Sequence, residues 1–164
     1  FNLNKEWLTL EEVVGSALRM LEPGLNGQQI ALSLPDPLML IHVDGPLFER
    51  VLINLLENAV KYAGPQAQIG INAREQNHQL FLDIWDNGPG IAQGQETRIF
   101  DKFSRGNKES AIPGVGLGLA ICRAIVDIHG GTLSASNRPE GGACFHVTLP
   151  LESPPELEEF HEDM

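Results

Sequence analysis

Asn54-Leu55-Leu56-Glu57-Asn58-Ala59-Val60-Lys61-Tyr62 is the stretch on which the reading of this chain turns. It closes a helical stretch over 44–63, which Asp44 can cap, Pro46 can open and Gly64-Pro65 can stop. Turning 100° per residue from Phe48, the residues Val51, Leu52, Leu55 and Ala59 fall within about 60° of it and form a core face. Asn54, Asn58 and Lys61 gather at about 220° to 280°, spaced i, i+4, i+7, and Tyr62 falls between them and the core. Asparagine is a mediocre helix former. Two on one helix edge describe either a solvated face or a ligand set. As ligands, their amide oxygens suit a hard cation such as Mg²⁺, whose octahedron phosphates and water complete. The lysine would then serve phosphate and the tyrosine a base.

Two further stretches extend that pattern. In Asp86-Asn87-Gly88-Pro89-Gly90-Ile91, strand alternation sets Asp86 on the same face as Leu80, Leu82 and Ile84. A carboxylate pointing where a core points needs a donor, and the exocyclic amine of adenine could be that donor. An ordinary Asn-Gly turn is the alternative. Gly114-Val115-Gly116-Leu117-Gly118-Leu119-Ala120 opens an apolar helix, whose first N–H groups and dipole favour phosphate. It is not a dinucleotide fingerprint, because Leu119 stands where the third glycine belongs. It is not a P-loop, because no Gly-Lys pair occurs in the chain. A phosphate-facing glycine turn of another kind, or a plain linker, remains.

Composition bounds these readings. The 164 residues suffice for one domain, and 42% hydrophobic with 20% charged residues is a globular balance rather than a disordered one. A formal net charge of −11 excludes broad binding to nucleic-acid backbones or anionic lipid. The segment 151–164 holds six acids (Glu152, Glu156, Glu158, Glu159, Glu162 and Asp163) and no Lys or Arg, behind Ser153-Pro154-Pro155. It reads as a flexible acidic tail, and without it 16 acids face 11 bases, a net of −5. A small anionic nucleotide needs only local help, so the body can still host one. No apolar run reaches the roughly 18 residues of a membrane span. Cys122 and Cys144 have no zinc-type spacing and read as buried reduced thiols, with a bridge between them as the alternative.

Periodicity predicts a helix over Leu10–Leu21, strands over 29–34 and 38–43, and the helix 44–63. Strands follow over 67–73 and 80–85, one or two helical turns over 97–103, and a polar mobile loop over 104–116. A helix over 117–129 and strands over 132–136 and 143–149 complete the series. Grouped strands and helices predict an α+β, two-layer sandwich. Its mixed, mostly antiparallel sheet carries helices on one face.

In this order and at these distances, the segments resemble sensor histidine kinases. The stretch 54–62 resembles their N box, 86–91 their G1 box, Ile99-Phe100-Asp101-Lys102-Phe103-Ser104-Arg105 their F box and 114–120 their G2 box. Through 114–150 and the tail, the chain most resembles the potassium-responsive members. The resemblance implies the Bergerat (GHKL) ATP-binding fold, with ATP and Mg²⁺ as cofactors. It implies that Asn58 and Asn54 meet Mg²⁺, and that Lys61 and Arg105 meet phosphate. Tyr62 would lie on the adenine and Asp86 would accept from its amino group. Gly88, Gly90 and Ile91 would shape the base pocket. Gly114, Gly116 and Gly118 would hinge a lid over 104–116, and Phe103, Leu117 and Leu119 would complete the nucleotide contacts.

ATP-hydrolysing relatives resemble this helix but carry a glutamate at the position of Asn54, and an amide cannot activate water. Glu57 lies off the ligand stripe and is the remaining candidate to polarise an incoming histidine. The implied activity is therefore transfer of the γ-phosphate to a histidine of an upstream dimerisation domain, for relay to a response regulator. A regulatory nucleotide-binding module, or a Bergerat-type ATPase or serine kinase, is the rival. None of His42, His78, His129, His146 and His161 has the family's acceptor motif. The expected organisation is a linker and leading helix from the upstream domain over 1–27, the ATP-binding domain over 28–150 and the tail over 151–164. The expected setting is the cytoplasmic side of an inner-membrane sensor, of which this chain is a piece, without nucleic-acid or direct membrane contact.

Overall fold

A computed structural model describes residues 2–25, 27–36, 38–101 and 115–155, with main chain alone at 115–117. Strand β1 (Glu6–Thr9) leads directly into helix α1 (Leu10–Leu21). Thr9 caps that helix in a reciprocal box: its hydroxyl accepts from Glu12 N–H at 3.1 Å, and the Glu12 carboxylate accepts from Thr9 N–H at 2.7 Å. Strands β2 (Ile30–Ser33) and β3 (Leu40–Val43) follow, then helix α2 (Gly45–Ala63). Asp44 caps α2 by accepting from Leu47 N–H at 3.2 Å, and Gly64, with φ of 97°, ends it.

Among the described residues the remaining elements are β4 (Ile69–Gln76), β5 (Gln79–Asp86), a 3₁₀ turn (Arg98–Phe100), α3 (Val115–Ile128), β6 (Thr132–Asn137) and β7 (Ala143–Pro150). Five strands form one mixed sheet in the order β2-β4-β5-β7-β6, in which only β2 and β4 run parallel. Leu80, Leu82 and Ile84 of β5 share a single buried cluster with Val13 of α1, Phe48 of α2 and Ile125 of α3. Each such fully buried side chain contributes about 1.5–3 kcal/mol. The helices therefore cover one face, while Phe81, Asp83 and Trp85 point to the other. This is the two-layer arrangement expected.

Two features differ from the expectation. The strand expected over 38–43 does not join the main sheet; β3 pairs antiparallel with β1 in a separate two-stranded sheet. Strand β1 itself was not anticipated, because four residues beside a strong helix signal carry too little alternation. The leading helix lies against α2, and Leu10, Val13, Val14 and Ala17 sink into the same core. Both cysteines are free and buried, so the bridge does not form. Among the described residues, no helix is long and apolar enough to cross a membrane.

His129 ties the two long helices together at their ends. Its Nδ1–H donates to Ile125 O at 2.8 Å, and its Nε2 accepts from Asp44 N–H at 3.0 Å. One buried imidazole thus closes α3 and satisfies an orphan N–H at the start of α2.

Candidate nucleotide-binding site

The asparagine edge of α2 faces the start of α3. Asn58 is buried, and its Nδ2 donates to Asn54 O at 2.9 Å. That bond fixes the amide and leaves Oδ1 as an acceptor without a partner among the described residues, which fits a hard cation. The Asn54 side chain sits beside the Cys122 thiol, which donates to Val51 O at 3.8 Å. Asn54 Nδ2 would lie 3.8 Å from a Cβ placed on Gly118. Gly118 therefore faces Asn54. Burial pushes the Cys122 thiol up to about 11, so it stays protonated beside the amide at neutral pH. Lys61 and Tyr62 are exposed at the far end of the helix, and Glu57 is exposed as well.

Asp86 ends β5 with its side chain buried on the helix-covered side. Its Oδ1 accepts from Gly88 N–H at 2.9 Å and Ala143 N–H at 3.3 Å. Among the described residues Oδ2 has no hydrogen bond, so half of a fixed, buried carboxylate is left to accept from a donor. The loop after Asp86 is held from three sides. A Cβ on Gly88 would overlap Ala63 Cα, so only glycine lets the loop close on the end of α2, beside Lys61 and Tyr62. Asn137 of β6 clamps Ile91, accepting from its N–H at 2.7 Å and donating to its carbonyl at 2.9 Å. Arg138 donates to Asp86 O at 2.9 Å while stacking 4.4 Å from the Trp85 ring centroid.

The sequence-predicted residues thus fall into groups. Asn54, Asn58 and Gly118 meet between α2 and α3, and the segment from Asp86 to Ile91 meets the end of α2 through Gly88 and Ala63. Gly116 lies in the first turn of α3. Leu119 is packed in the core. Phe103, Arg105 and Gly114, the side chain of Leu117 and nearly all of the expected lid fall outside the described residues. Asn137, Arg138 and Ala143 were missed. They lie 46 to 57 positions from their partners, in a segment whose Pro-Glu-Gly-Gly composition reads only as a turn.

A buried acceptor at the sheet end, an outward amide oxygen, a nearby lysine and a glycine-rich helix start suit a purine nucleotide carrying phosphates and a metal. The chain belongs to the family of histidine kinase-, DNA gyrase B- and HSP90-like ATPases, whose match runs over residues 43–153. Over its full length it is 78% identical to sensor protein KdpD of Escherichia coli, and it spans 18% of that protein's length. It also superposes on the catalytic domain of histidine kinase ThkA with a TM-score of 0.78. That match is at 26% identity and covers 90% of this chain and 97% of that one. A structure of ThkA in complex with response regulator protein TrrA matches with a TM-score of 0.77 at 24% identity, over 92% of this chain and 42% of that one.

Proposed function

We propose that this chain is the ATP-binding catalytic domain of a two-component sensor histidine kinase in potassium-linked signalling. It holds Mg-ATP and presents the γ-phosphate to a histidine on an upstream dimerisation domain. The phosphoryl group then passes to a response regulator. The buried Asp86 carboxylate carries the reading. Its Oδ1 is occupied by two main-chain N–H groups and its Oδ2 is left to accept the 6-amino group of adenine. A guanine, with a carbonyl there, would place acceptor against acceptor. Tyr62 covers the base from the end of α2, and Gly88, Gly90 and Ile91 shape its pocket.

Asn58 Oδ1, with Asn54 beside it, would hold Mg²⁺, which when bound neutralises phosphate charge and draws the phosphates into one geometry. Lys61 and Arg105 would contact phosphate, and the Gly114, Gly116 and Gly118 run would let the main chain approach it. Phe103 and Leu117 would line the nucleotide, whereas Leu119, packed in the core, anchors the helix behind them. Catalysis on this reading is positioning and charge neutralisation. Asn54 cannot take a proton from water, which favours transfer over hydrolysis. Glu57, exposed on α2, is free to polarise an arriving histidine.

The test adds labelled ATP to this chain and the separate histidine-bearing helices, with and without Mg²⁺. Acid-labile phosphohistidine that requires Mg²⁺ is the expected product. Nucleotide hydrolysis without phosphohistidine would favour an ATPase instead. The complex between ThkA and its response regulator supports the proposed partner class. On this reading the domain works on the cytoplasmic side of an inner-membrane sensor.

A further inference from the structure

The uncovered face of the five-stranded sheet carries a second cluster of reactive side chains. Asp83 of β5 lies directly opposite His146 of β7, and Cys144 sits two residues before His146 on the same face. His146 Nδ1 is 2.8 Å from Asp83 Oδ1 and 3.7 Å from Cys144 Sγ. All three donor atoms lie within 4.8 Å of one another. On the far side of the ring, His146 Nε2 is 2.8 Å from Ser136 Oγ of β6.

We propose that Asp83, Cys144 and His146 form a binding site for a borderline-soft divalent cation such as Zn²⁺. Thiolate, imidazole and carboxylate are the donor types zinc takes, whereas Mg²⁺ prefers oxygen alone. Tetrahedral zinc, with bonds of about 2.0–2.3 Å, sets its donors roughly 3.3–3.7 Å apart. The Sγ to Nδ1 separation already lies at that edge length. The Nδ1 to Oδ1 pair sits closer because a proton, not a metal, joins it. Opening that pair takes side-chain rotation only, since the strands beneath are locked in ladder register. Ser136 Oγ then accepts a hydrogen bond from Nε2–H and fixes the ring, as metal-bound histidines require. Two anionic donors neutralise the ion, and its fourth position faces solvent. Asp83 and His146 are each 37% exposed, so an ion can reach them while Cys144 lies beneath. The site lies on the opposite side of the sheet from Asp86 and does not rest on the kinase reading.

The experiment titrates Co²⁺ as a spectroscopic probe into the reduced, tag-free chain, then displaces it with Zn²⁺. A thiolate-to-cobalt charge-transfer band saturating at one equivalent, and bleached by Zn²⁺, is expected. The band should vanish in Cys144→Ser and His146→Gln and persist in Cys122→Ser. Ser136→Ala should weaken Co²⁺ binding about tenfold or more. Each variant's ATP binding and thermal melt are measured alongside to show that it is folded. A wild-type chain without the band, or a band that survives Cys144→Ser, overturns the proposal. Should Cys144→Ser fail to fold, survival of the band in folded His146→Gln or Asp83→Ala overturns it equally.

Discussion

The Arg138 guanidinium donates to the main-chain carbonyl of Asp86 at 2.9 Å, joining residues 52 positions apart. It also donates to Gly141 O at 3.0 Å and stacks on Trp85, so one side chain pins the end of β5, the turn before β7 and the sheet's outer face. Arg138 thus holds the strand end that aims the Asp86 carboxylate. Arg138→Ala should lower stability by about 1.5–3 kcal/mol, the range for hydrogen bonds from a charged donor. It should also weaken ATP binding severalfold. Calorimetric titration and denaturant melts measure the two separately, and unchanged values in both would remove the positioning role.

Asp86→Asn keeps the shape of the side chain and removes its charge. Loss of a charge-assisted bond to the adenine amine should cost about 1.5–3 kcal/mol, on the order of 10- to 100-fold in ATP affinity. GTP binding, expected to be weak in the parent chain, should change far less. Equal losses for both nucleotides would remove Asp86 from base recognition.

Asn58→Ala deletes the amide oxygen that faces outward once Nδ2 is committed to Asn54 O. Nucleotide affinity in the variant should be the same with and without Mg²⁺, whereas the parent chain should bind more tightly with it. Paired titrations in Mg²⁺ and in chelator decide this. A metal dependence that survives the substitution would move the ion elsewhere.

His129→Leu keeps bulk but removes both bonds that close α3 onto the start of α2. The orphaned Asp44 N–H and the lost hydrogen bond should together cost about 2–4 kcal/mol. Equilibrium urea unfolding measures it. Little change in the midpoint would mean that packing against Phe48 alone secures the ring.

Burial lifts the thiols of Cys122 and Cys144 from the ordinary 9.0 up to about 11 and about 12; for Cys144 the Asp83 carboxylate adds to the effect. The folded chain therefore holds these protons longer than the unfolded chain does. Their contribution to stability is whole below pH 9 and is lost as pH rises through 9 toward 11 and 12. Thermal midpoints between pH 8 and pH 11 should fall, and fall less when both cysteines are replaced by alanine. Identical slopes for the two chains would exclude the thiols as the cause.

The helices and the Asp44 cap were legible in the chain. Each is written in neighbours three or four residues apart, as in Asp44 with Leu47 and the Phe48, Val51, Leu52, Leu55 stripe. The same local spacing laid Asn54, Asn58, Lys61 and Tyr62 along α2, and strand alternation turned Asp86 inward. Strand β1 was hidden because its pairing with β3 is a contact between segments more than 30 residues apart. The clamps on the pocket were hidden for the same reason. Nothing near Asn137 or Arg138 in sequence marks them as partners of Ile91 and Asp86.

The amino-acid sequence by itself determined the helices, the inward carboxylate and the asparagine edge of α2, because periodicity and capping act within a few residues. Only the tertiary structure decided which asparagine atom is free and what holds the loop after Asp86. It also decided that Asp83, Cys144 and His146 share one sheet face. That last relation depends on strand register, and a slip of one residue would turn a strand's side chains to the other face of the sheet.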